Sequence, residues 1–96
     1  MSMHFESIHP GRILARELKA RGMSANALAI KIRVSPNRIT RIISGERNIS
    51  PETALRLGRY LGTGARIWID MQAGYDLWKA EQELGAKINR EVEKAA

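Results

Sequence analysis

Two helix start signals, Ser24 and Ser35-Pro36, stand so close together that the helices they open are separated by only about three residues of turn. Ser24 caps a helix of about eight residues whose Leu28, Ala29 and Ile32 face inward, ending near Arg33. Ser35 caps the next, with Pro36 at its first position, Ile39, Ile42 and Ile43 at helical spacing, and Gly45 as its stop. Helices this short, joined by so little chain, must cross at close range. The small Ala29 in the middle of the first permits that approach, while Leu28, Ile32, Val34, Ile39 and Ile42 supply apolar contacts behind the turn. This is the pattern of a helix-turn-helix.

The flanking chain is punctuated in the same way. His9-Pro10 opens a helix in which Ile13, Leu14 and Leu18 form an apolar stripe up to Arg21-Gly22. Ser50-Pro51 repeats the start signal for a fourth helix carrying Ala54, Leu55, Leu57 and Leu61 and stopping at Gly62. Thr63 is then expected to cap a long fifth helix from about Ala65 toward Lys87. Alternating strand patterns are missing and the connections are short, so the expected fold is all-α. It comprises one domain over residues 9–87, a flexible segment 1–8 before it and a frayed tail 88–96 after it. A chain of 96 residues leaves no room for a separate catalytic domain, and no nucleophile, base and orienting group cluster in it.

Charge narrows the partners. The net charge is +6: residues through Arg66 hold twelve Lys or Arg against four Glu, and those from Ile67 onward hold four against six acids. The front two thirds therefore favour a polyanion, nucleic acid before acidic membranes or proteins, and the remainder favours protein contacts. On the third helix, Asn37, Thr40, Arg41 and Ser44 lie on the side its isoleucines do not use. Amide, guanidinium and hydroxyl groups on a helix that fits the major groove suit base edges, Arg to guanine and Asn to adenine. The plain alternative is a solvated basic face. Phosphate contacts are assigned to Asn26 at the start of the second helix and to Lys31, Arg38 and Arg47. On the fifth helix Trp68, Met71, Tyr75 and Trp78 form an aromatic stripe expected to pack within the domain and across a homodimer, with Ile67 and Leu77 as a second row.

Zero cysteines exclude disulfides and thiolate metal sites, and His4 and His9 are read as ordinary polar residues, so no metal or cofactor is expected. No apolar run is long enough for a membrane span and no secretory signal opens the chain, so a cytosolic location is expected.

Several segments resemble one known family: "HPGRIL" (His9 to Leu14), "ALA" (Ala27 to Ala29), "VSPNRITRIISGERNISPETALRLGRYLGT" (Val34 to Thr63) and "WIDMQAGYDLWKAE" (Trp68 to Glu81). They are similar to antitoxins of the HigA type, within the XRE or Cro/C1-like helix-turn-helix superfamily, and "ISPETALRL" followed by "MQAGYDLW" is the most specific part. The resemblance implies a lambda-repressor-like domain that binds double-stranded DNA, represses its own operon and neutralises a HigB-like, RelE-fold messenger RNA endonuclease; a dimer presents two reading helices about 34 Å apart, so a palindromic operator is expected. Arg33 departs from the superfamily, which usually has glycine at that turn position. A stand-alone repressor of the same superfamily is the alternative, and a protein-only scaffold is the reading without DNA.

Overall fold

The computed structural model describes residues 5–96. After a short 3-10 turn at Phe5–Ser7 come five helices: α1 Pro10–Ala20, α2 Ala25–Ile32, α3 Pro36–Ile43, α4 Pro51–Leu61 and α5 Arg66–Glu91. No strand occurs among the described residues, so the expected all-α architecture is the one observed. Ser24, Ser35 and Ser50 take extended backbone, and each Oγ accepts a first-turn amide hydrogen bond, from Ala27 at 3.0 Å, Arg38 at 3.2 Å and Thr53 at 3.2 Å.

The apolar stripes converge on one core. Leu14 and Leu18 from α1, Leu28, Ala29 and Ile32 from α2, Ile39 and Ile42 from α3, Ala54, Leu57 and Leu61 from α4, and Trp68 and Met71 from α5 are all buried. Ile49, in the loop before α4, joins them: it precedes the Ser50 cap and is buried with Ala54 in the fourth position of the helix, as in a hydrophobic staple. Leu55 does not join them. It is 65% exposed, because one residue beyond Ala54 turns the helix by about 100° away from the core.

The start of α5 also differs from expectation. Ala65 occupies its cap position without a side-chain bond, and the Thr63 hydroxyl instead accepts the indole Nε1–H of Trp68 at 2.9 Å. The helix ends at Glu91, beyond Lys87. Its first half packs on the domain, whereas from Lys79 onward nearly every side chain is exposed and the helix leaves the body, giving a longest dimension of 52 Å.

Arg33 ends α2 in the left-handed region, with φ 62° and ψ 48°. A side chain there costs about 1 kcal/mol relative to glycine. Arg33→Gly should therefore raise unfolding stability by about 1 kcal/mol, read as a higher urea midpoint with an unchanged slope.

His9 caps α1, its Nδ1 accepting from the Gly11 amide at 2.9 Å, and its ring stands edge-on to Tyr75 with centroids 5.0 Å apart. Burial lowers its pKa from the ordinary value; nearby Asn48 and Asp76 act to raise it and Lys79 to lower it. The neutral ring with an accepting Nδ1 carries its proton on Nε2, and a second proton would place a donor against the Gly11 donor. Because the folded pKa is depressed, the unfolded chain binds more protons below about pH 6.5, so stability is present above that value and falls as the solution is acidified. Urea midpoints at pH 7.5 and 5.5 should show this loss, and His9→Asn, which keeps a capping oxygen, should flatten it.

Candidate nucleic-acid interface

The third helix is amphipathic about a single plane. Ile39 and Ile42 are fully buried, while Asn37, Thr40, Arg41 and Ser44 are exposed, so the residues assigned to base readout share one open face. Their chemistry is defined by local bonds. The Thr40 hydroxyl donates to the Asn37 carbonyl at 3.2 Å and the Ser44 hydroxyl to the Arg41 carbonyl at 3.0 Å, which leaves both oxygens as acceptors toward solvent. The Asn37 amide has no partner among the described residues, and the Arg41 guanidinium lies 3.6 Å from the Glu46 carboxylate, with both side chains largely exposed. This pair is held loosely enough to open, since exposed ion pairs contribute little.

The residues assigned to phosphate fall into two groups. Asn26, Lys31 and Arg47 are exposed, Asn26 in the first turn of α2 and Arg47 in the loop after α3. Arg38 is turned inward. Its side chain is 23% exposed, and its Nη1 donates to the Glu52 carboxylate at 3.2 Å and to the Thr53 hydroxyl at 3.4 Å, so it joins α3 to α4. Glu52 also receives Arg56 Nε at 3.1 Å, and Arg56 Nη1 donates to the Ile32 carbonyl at the end of α2 at 3.0 Å. Hydrogen bonds from Arg56 and then Arg38 hold the Glu52 carboxyl below the usual carboxylate range. Sequence reasoning missed this clasp. The four-residue spacing of Glu52 and Arg56 was visible, but the arm to Arg38 exists only once α3 and α4 are packed.

The aromatic stripe of α5 divides differently from the expectation. Trp68, 2% exposed, and Met71, 9% exposed, belong to the domain's own core and are withdrawn from the assigned dimer contact. They face inward because the helix lies over α1 and α4 along that side. Tyr75 and Trp78 are half-buried, with ring centroids 6.2 Å apart. The exposed apolar side chains of α5 are Ile67, Leu77, Leu84 and Ile88, of which Leu77, Leu84 and Ile88 share one face. His4, read with His9 as an ordinary polar residue, lies outside the described residues. No helix is long and apolar enough to cross a membrane among the described residues.

Comparison with known proteins places this geometry. Residues 14–68 match the family described as helix-turn-helix. Virulence-associated protein I of Dichelobacter nodosus is 53% identical over 78 residues, covering 80% of this chain and 72% of that protein. An addiction module antidote protein of the HigA family from Coxiella burnetii superposes with a TM-score of 0.89 at 43% identity, over 93% of this chain and 98% of that one. The Pseudomonas aeruginosa antitoxin HigA, solved with the higBA promoter, gives 0.92 at 38% identity over 94% and 99%. The chain belongs to the helix-turn-helix family, and along nearly its whole length its fold is that of the HigA antitoxins.

Proposed function

We propose that this chain is a cytoplasmic DNA-binding antitoxin that represses its own operon as a homodimer and neutralises a HigB-like, RelE-fold messenger RNA endonuclease. The DNA half of this reading is carried by one observation, the exposed row Asn37, Thr40, Arg41 and Ser44 over a fully buried isoleucine face. Arg41 reads guanine, Asn37 reads adenine, and the two hydroxyl oxygens accept from base amines. Asn26, Lys31 and Arg47 bind the phosphates alongside, and counterion release makes the affinity strongly salt-dependent. Likeness to the HigA antitoxins over more than nine tenths of the chain supports the toxin half. Co-expression with the neighbouring reading frame tests it: a stable complex that restores growth is expected, and a neighbour that neither co-purifies nor inhibits growth leaves a stand-alone repressor.

Reading and positioning residues separate in titrations on the upstream operator and on scrambled duplex. Arg41→Ala and Asn37→Ala should each cost about 1 to 3 kcal/mol on the operator and relax base preference locally, whereas Arg47→Ala should weaken both duplexes alike.

The homodimer uses the outward face of α5, Leu77, Leu84 and Ile88, flanked by Ile67 and the half-buried Tyr75 and Trp78, in place of the buried Trp68 and Met71. Two reading helices about 34 Å apart then match a palindrome with half-sites one DNA turn apart. Leu77 is 62% exposed in the single chain, so Leu77→Glu should leave the fold intact and give a monomer in sedimentation equilibrium, with operator affinity reduced at least tenfold.

A further inference from the structure

The clasp around Glu52 has chemistry that a structural tie alone does not require. Its two carboxylate oxygens are divided between two arginines, Oε1 taking Arg38 at 3.2 Å and Oε2 taking Arg56 at 3.1 Å. Arg38 neighbours Asn37 and lies one helical turn before Arg41, so it is the cation nearest the reading row in sequence and on the helix. The carboxylate is 59% exposed, which leaves the pairing open to competition from an incoming anion. Through Arg56 and the Ile32 carbonyl, the same carboxylate connects the end of α2 with α3 and α4, the three helices whose mutual angle aims Asn37 and Arg41.

We propose that Glu52 is a specificity-determining positioning residue, which withholds Arg38 from DNA phosphates and holds the reading helix at the pitch that base contacts need. The inference rests on the DNA reading above. Non-specific binding is driven by cations reaching phosphates, so engaging Arg38 on an internal carboxylate removes one contact from random DNA. Operator binding depends instead on a preorganised row of side chains, which the clasp supports. Glu52 therefore lowers affinity for random sequence and sustains affinity for the operator, and both effects raise the ratio between them.

The test uses the full chain, a duplex of the region immediately upstream of its own gene, and a scrambled duplex of equal composition, titrated across a salt series. Glu52→Gln keeps the side chain's shape and removes its charge. It should bind scrambled DNA about three- to tenfold more tightly, with a salt slope steeper by about one released counterion, while operator affinity stays level or falls and the operator-to-scrambled ratio drops about tenfold. Adding Arg38→Ala to Glu52→Gln should cancel the gain on scrambled DNA, because the released cation is then missing. Glu52→Ala repeats the measurement with no acceptor at that position, and circular dichroism establishes that each variant is folded. Equal losses on both duplexes at an unchanged salt slope would make the clasp a purely structural tie and overturn the proposal, as would a gain on scrambled DNA that survives Arg38→Ala. Wild-type protein without salt-sensitive retention on either duplex would instead sink the DNA reading, and this inference with it.

Discussion

The crossing of α2 and α3 depends on one residue, Arg33, holding the left-handed conformation that reverses the chain at the end of α2. Val34 N–H then returns to the Ala29 carbonyl at 3.0 Å, and Ser35 is delivered at the point where its hydroxyl caps α3. The backbone strain of about 1 kcal/mol is small beside the burial that follows, since Leu28, Ile32, Ile39 and Ile42 each contribute on the order of 1.5 to 3 kcal/mol when fully removed from water. An eight-residue helix does not persist alone in water, so α3 exists because its isoleucine face is covered. The outward row is the other side of the same fact: sealing Ile39 and Ile42 inside leaves Asn37, Thr40, Arg41 and Ser44 nowhere to point but outward.

Polar contacts connect this helix pair to the rest of the molecule. Gln72, 5% exposed on α5, accepts the Ile49 N–H at 2.8 Å and donates to Asp76 at 2.9 Å, so the long helix pins the loop that carries Arg47. His9 packs its ring on Tyr75 of the same helix while capping α1. The surface proposed for assembly and the surface proposed for DNA thus share a rigid support. The two sides of that helix differ: Trp68, Met71 and Gln72 turn into the domain, and Ile67 and Leu77 turn out.

Local chemistry made much of this legible before any coordinates. Serine caps, prolines at first helical positions and glycine stops depend on residues within one turn of each other, and the three serine-capped helices begin where Ser24, Ser35 and Ser50 place them. The inward isoleucines of α3, and hence its outward polar row, follow from 3.6-residue periodicity. Thr63 was misplaced for a corresponding reason: capping propensity is an average over contexts, and here Trp68 decided how the hydroxyl was used.

The amino-acid sequence by itself determined the all-α class, the short helix pair, the basic front of the chain and the outward polar row of α3, because each is set by spacing along the chain or by summed charge. Only the tertiary structure decided that Arg38 is held by Glu52 instead of standing free, that Trp68 and Met71 fill the core instead of an interface, and that Gln72 supports the loop before α4. Those outcomes join residues 14 or more positions apart or choose between two sides of one helix. Periodicity identifies an apolar stripe, but which neighbour covers it is settled by the angle at which the helices pack.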